Sequence, residues 1–345
     1  ILIFDNLNLY INQSYPFFDG RHLKFSNYAW KLALRDAVQS QYYGMDIFRF
    51  AAALLAAFFI HTSLASAEKI DVDATPIPFI DNAPEQTKVG ALEYRGGLYL
   101  TSSNRRFGGF SGLGISSDGQ RMVSVSDRGT SYSASLEYDA AGNLSGLKTH
   151  DLGTLADLDG TPVAGKRWSD AEAMSPGVEG EIIIAFERDH RLWRYDAGTT
   201  TPRVLRPPAE LGKMSPNHGI EALTLLNDGR LLAITEGSTD ELASIAWVSR
   251  RGGWDVLTYI ADDGFRPTGA ATLLNGDVLV LERYYTPRAG VRIRIKRING
   301  TKIVAGAEIS GELVALMAPP MIIDNFEGIE TRQDKEGRTL VYLIS

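Results

Sequence analysis

The chain has 345 residues, 44% of them hydrophobic and 22% charged, with 34 Gly and 14 Pro, which is enough apolar material for a large core and too much for a disordered chain. A net charge of -7 argues against nucleic acid or an anionic membrane as partner, since both call for a basic surface that exchanges counterions. Cysteine is absent, so disulfides, thiolate metal sites and Cys nucleophiles are excluded, and any chemistry falls to carboxylates, Arg, His and hydroxyls.

In chain order, residues 1–44 begin with Ile1, carry ten aromatics and show no sustained period. They read as upstream translation that is disordered or unpacked and is set aside from the fold. From Met45 the chain runs MDIFRF, AAALLAAFFI and HTSLASA, which has the n-region, short apolar run and small-residue end of a Sec signal peptide. This predicts residues 45–67 as the signal, cleavage after Ala67, a periplasmic or secreted product, and no stable membrane span after cleavage, because the apolar run is shorter than the roughly 20 residues a spanning helix needs.

From Glu68 the chain is strand-like, with short apolar runs such as MVSVSD, EIIIAFE, RLLAITE and DVLVLE broken by Gly, Asp, Asn and Pro. One unit recurs five times: a small, apolar entry, a turn rich in Gly, Asp or Asn, then an apolar strand. The terminal acids of the first four units, Asp127, Glu187, Glu236 and Glu282, are 60, 49 and 46 residues apart. That period suits four-stranded propeller blades of about 40–50 residues. Residues 68–345 are therefore predicted to form an all-β domain, a six-bladed β-propeller with four-stranded antiparallel blades. The last unit stops at LVYLIS, so the sequence predicts a C-terminally incomplete final blade or closure.

Hairpin geometry carries the argument to chemistry. The start of one antiparallel strand lies beside the end of the next, so Glu172 should meet Glu187, and Glu221 should meet Glu236. If the first strand of each unit is innermost, these pairs converge on one mouth of the channel, with Asp170, Asn217, Asp324, Asn325 and Glu327. Clustered carboxylates repel unless a cation compensates them, and Ca²⁺ takes six to eight oxygen ligands. Glu172, Glu221, Glu327, Asp127, Glu187, Glu236 and Glu282 are thus candidate calcium ligands, and Arg128, Arg188 and Arg283 candidate anion clamps. Such a site could activate water for ester hydrolysis. Glu221 and His218 are the catalytic candidates, with no Ser or Cys partner read for His218 in the local sequence and no G-x-S-x-G elbow in the chain. Structural pairing of the strand-ending acids with neighbouring Arg residues is the competing explanation.

Together, FGGFSGLGISSDGQRMVSVSDRG, WSDAEAM with FER, NHGIEAL and DNFEGIE resemble the phytase-like family of exported bacterial proteins, described by an esterase-like activity of phytase. The resemblance runs from about Val89 to the C-terminus. It implies a propeller, an extracytoplasmic location and hydrolysis of a phosphate or carboxylate ester in a small anionic substrate. A non-catalytic binding propeller, held by calcium or Glu–Arg pairs, and a structural envelope protein are the alternatives.

Overall fold

The computed structural model describes residues 1–6, 67–237 and 243–345. Its strands form five sheets, and their innermost strands pack side by side in a closed ring. This is a five-bladed β-propeller. No helix among the described residues is long and apolar enough to cross a membrane.

Blade 1 runs outward through Phe110–Ile115, Arg121–Ser126, Thr130–Tyr138 and Leu144–Thr154, with Glu68–Lys69 at its edge. Blade 2 is Ala171–Pro176, Ile182–Phe186, Arg191–Tyr195 and Arg203–Leu205. Blade 3 is Ile220–Leu225, Leu231–Thr235, Ala243–Arg250 and Gly253–Ile260, with Glu308–Ile309 added in parallel. Blade 4 is Arg266–Thr272, Val278–Thr286, Gly290–Ile298 and Glu312–Met317. Each of the five repeated hairpins supplies the two inner strands of one blade.

Blade 5 is assembled from three separated segments. Gly328–Gln333 and Thr339–Ile344 are followed by Leu2–Asn6, then Leu92–Thr101 and Asp73–Ile77. Leu2–Asn6 pairs antiparallel with strands on both sides, Leu2 opposite Leu343 and Asp5 opposite Glu93. Two expectations are corrected here. The expected six blades are five, because the longer strands of residues 68–109 form the outside of blade 5 and no blade of their own. The first six residues also lie inside the fold, whereas residues 7–66, which hold the rest of the expected leader and the signal segment, lie outside the described residues.

The blade number follows from packing. Five apolar clusters fill the five gaps between successive blades. Sheets covered on both faces make their strands continuous apolar runs. In blade 2, Ile182 and Ile184 face blade 1, while Ile183 and Ala185 face blade 3. ILIF at the chain start has the same two-sided form: Leu2 and Phe4 face blade 4, and Ile1 and Ile3 face blade 1.

Five inner strands make a tight ring. Each carries a small residue at one equivalent position, Gly112, Ala173, Ala222, Gly269 and Gly328, opposite Val125, Ala185, Ile234, Leu281 and Ile344. A Cβ on Gly112 would lie 2.5 Å from the Cβ of Met174 in the next blade. One on Gly328 would lie 3.0 Å from the backbone of Gly112. Glycine permits this approach.

Candidate functional site

Immediately before that small residue, blades 1 to 4 each carry a register shift that leaves one extra residue on the inner strand: Ser111, Glu172, Glu221 and Thr268. Such a β-bulge re-aims the side chain at the strand entry. In blade 5 the corresponding residue is Glu327, whose N–H donates to Ile344 O at 3.1 Å. The three Glu residues therefore hold one position in three blades, and Ser111 and Thr268 hold it in the other two. Ser111, Glu221 and Glu327 line one narrow cavity with Gly112, Ala173 and Gly269, which places Glu221 and Glu327 at the central channel.

In blade 2 the expected hairpin partners meet. Oxygens of Asp170, Glu172 and Glu187 lie within 4.8 Å of one another. Glu187 also accepts the Gly219 N–H at 2.9 Å, tying blade 2 to the strand entry of blade 3. Glu236 pairs with Arg266 at 3.1 Å, and Glu327 with Arg283 at 3.5 Å. Arg188 donates through Nε to Asp170 Oδ2 at 2.5 Å from a backbone with φ of 60°, a conformation uncommon for a residue with a Cβ. Arg128 stands on the rim, 4.0 Å from Asp127, and donates to the carbonyl oxygens of Arg105 and Phe107.

Glu282 does not join the mouth. It is opposite Pro267, the register position that Thr235 holds in blade 3, so Arg283 is the residue equivalent to Glu236. A shift of one residue turns a strand side chain to the other face. Glu282 is 0% exposed and accepts from Tyr259 Oη at 2.8 Å and Arg294 Nε at 2.5 Å, away from the channel. Asn217 is exposed on the preceding loop. Asp324 and Asn325 are exposed too, with Asp324 accepting the Asn325 N–H at 2.8 Å and the Ser345 hydroxyl at 3.2 Å.

Two contacts escaped the sequence reading. Lys166 reaches Asp127 Oδ2 at 3.0 Å, Asp170 Oδ1, and Glu172 Oε1 at 4.0 Å. Its four-residue spacing from Asp170 in KRWSD was a usable signal, since such pairs meet on a helical turn. His218 does have a serine neighbour: Ser215, three residues earlier, is hydrogen-bonded to His218 Nδ1 across a turn closed by His218 N–H to Ser215 O. His190 and His150 are used elsewhere, with His190 Nε2 bonded to Ser215 O at 3.0 Å and His150 Nδ1 to Tyr132 Oη at 2.8 Å.

The electrostatics follow from this crowding. Glu172 is pushed up to about 9 by burial, then by the hydrogen bond and charge of Asp170 and by Glu187. Burial also opposes ionisation of Asp170, but hydrogen bonds with Glu172, Lys166 and Arg188 outweigh it and hold this carboxyl low. Glu221 is raised well above its ordinary value by burial, then by the charges of Glu172, Glu236, Glu187 and Glu327. Glu187 and Glu327 are raised as well, burial being the leading cause for each. Neither Glu187 nor Glu221 has a Lys or Arg partner among the described residues.

With this geometry established, the phytase-like family, described as an esterase-like activity of phytase, matches residues 105–345. The chain belongs to the phytase-like family. No curated protein matches it. Among solved structures, the chain is similar to a protein of unknown function from Dyadobacter fermentans, at 14% identity, TM-score 0.40, and coverage of 81% of this chain and 95% of that one. It is also similar to a virginiamycin B lyase from Staphylococcus aureus, at 11% identity, TM-score 0.36, and coverage of 80% and 100%. A luciferin-regenerating enzyme is similar at 10% identity, TM-score 0.35, and coverage of 68% and 91%.

The donor set of this phytase-like mouth can be tested against calcium. Oxygens sharing one Ca²⁺ at 2.3–2.6 Å lie no more than about 5.2 Å apart. Those of Asp170, Glu172 and Glu187 meet this limit, all are hard oxygen donors, and the nearby Glu221 has no Lys or Arg partner among the described residues. The residues fit the ion.

Proposed function

We propose that this phytase-like propeller binds calcium at the channel mouth and hydrolyses a phosphate or other ester of a small anionic substrate there. The reading is carried by the approach of Asp170, Glu172 and Glu187 within 4.8 Å, beside a Glu221 that has no Lys or Arg partner among the described residues. Like charges held this close either keep protons or take up a cation.

Glu172 and Glu187 would hold the ion with Asp170, which is shared between it, Lys166 and Arg188, and Glu221 stands beside them. When bound, calcium would neutralise these carboxylates and polarise an ester oxygen. Arg283 and Arg266 flank the opposite side from blade 4, where a guanidinium can grip an anionic oxygen through paired N–H donors. Glu221, whose carboxyl is raised by burial and then by the charges of the surrounding acids, is the group suited to carry a proton to or from the reacting oxygen. His218, its Nδ1 engaged by Ser215, keeps Nε2 for a second proton transfer.

The test is calcium titration of the full chain by calorimetry, with hydrolysis of phytate and simple aryl esters followed in parallel. Calcium-dependent turnover that is abolished in Glu221→Gln at an unchanged melting temperature is the expected result. If EDTA lowers the melting temperature and neither substrate turns over, the mouth is a binding site and not a catalytic one. Export belongs to the same proposal: recovery of the protein from periplasm or medium is expected, and an N-terminus at Glu68 there would mean that the exported product folds without the Leu2–Asn6 strand of blade 5.

A further inference from the structure

Lys166 lies on the connection between blades 1 and 2, and that connection is anchored along its length. Leu155 N–H donates to Gly129 O at 2.8 Å, Val163 N–H to Leu155 O at 2.8 Å, and Tyr195 Oη to Ala156 O at 2.7 Å. Arg191, itself buried, donates to the Trp168 carbonyl, and the helical turn Lys166–Ser169 ends on buried Ser169 and Asp170. The lysine stem therefore leaves a fixed backbone.

Its ammonium meets four oxygens from two blades. Nζ is 3.0 Å from Asp127 Oδ2, 3.4 Å from Asp127 O and 4.0 Å from Glu172 Oε1, and it is in direct contact with Asp170 Oδ1. Three carboxylates and a backbone carbonyl around one cation make up a hard-cation donor set, here satisfied by the three N–H donors of a lysine. Tethering favours the lysine over a free ion, because its local concentration is set by a short stem and not by the medium.

We propose that Lys166 is a built-in counter-ion that takes the place of a second divalent cation at the Asp127–Asp170–Glu172 corner. It thereby sets how many ions the mouth accepts, leaving the side of Glu187 and Glu221, which have no Lys or Arg partner among the described residues, for an exchangeable one. This inference rests on the calcium reading above, and the experiment separates the two.

Lys166→Met keeps the length of the side chain and removes the charge. Calorimetric calcium titration of this variant beside the wild type should show one additional ion per chain, while Lys166→Arg keeps the wild-type stoichiometry. The variant should also gain more in melting temperature from calcium over EDTA than the wild type does. If Lys166→Met does not fold in either condition, Lys166→Gln, which retains an N–H donor, is titrated in its place. Equal stoichiometry in the neutral variant and the wild type overturns the proposal. Calcium binding by the variant and none by the wild type supports it while overturning the calcium reading of the native mouth. No binding by either protein overturns both.

Discussion

Blade 2 and blade 5 reach the same architecture by different routes. Blade 2 is one continuous stretch, Ala171 to Leu205, in which each strand pairs with the next. Blade 5 takes strands from residues 328–344, 2–6 and 73–101. Blade 2 closes loops of a few residues, whereas blade 5 closes the whole ring and bears the loop entropy of joining distant segments. The outward part of blade 5 is thus held by ladders and packing between segments distant in the chain, and its central strand, Leu2–Asn6, is where the ring can be opened.

The largest effect is expected from removing residues 1–6. This deletes ladders on both sides of the strand and the buried Ile1, Leu2, Ile3 and Phe4. At about 1.5–3 kcal/mol per buried large apolar side chain, the loss is on the order of 6 kcal/mol or more. Denaturant unfolding of the shortened chain should show a collapse of stability that added ILIFDN peptide partly restores. Unchanged unfolding would mean that this strand does not close the ring.

A smaller effect separates the ring from its blades. Gly112→Ala places a Cβ against the Met174 Cβ of blade 2, and overpacking of this kind costs about 1–3 kcal/mol. The same change at exposed Gly212, where a Cβ would meet nothing and, as at Gly112, φ is not in the left-handed region, tests the substitution without the close approach. A melting temperature lowered equally by both changes would remove inter-blade contact as the cause.

The smallest effect sharpens the comparison at one position. Where blade 2 has Ser175, blade 5 has Glu330 two residues after the small channel residue, and burial pushes its carboxyl up to about 8 from 4.5. A raised folded-state value means that Glu330 favours the fold fully below pH 4.5 and that this contribution is lost as pH rises to about 8. Glu330→Gln should therefore gain unfolding free energy over the wild type across that window, by about 1–2 kcal/mol after allowance for its remaining solvent contact. A pH-independent difference would show that Glu330 does not titrate there.

Much of the site was legible because hairpins are local. The 15-residue spacing of Glu172 from Glu187 predicted their meeting, and their oxygens do meet. Glu282 failed for a reason equally local but finer. Aligning it by spacing with Glu236 was wrong by one residue, and in a strand one residue is the difference between the channel mouth and a buried contact with Arg294 and Tyr259. Lys166 was overlooked because its three partners come from the ends of two blades, and only its spacing from Asp170 is written along the chain.

By itself the sequence determined the five hairpins, their two-sided apolar strands and the entry positions of Glu172, Glu221 and Glu327, since each depends on pairing across a short turn. The tertiary structure decided that five hairpins make five blades, that ILIFDN fills the gap between residues 339–344 and 92–101, and that Lys166 settles among acids from two blades. Those outcomes depend on how closely the inner strands approach and on which distant segment covers an open edge. Such contacts are fixed by packing in three dimensions and leave no period in the chain.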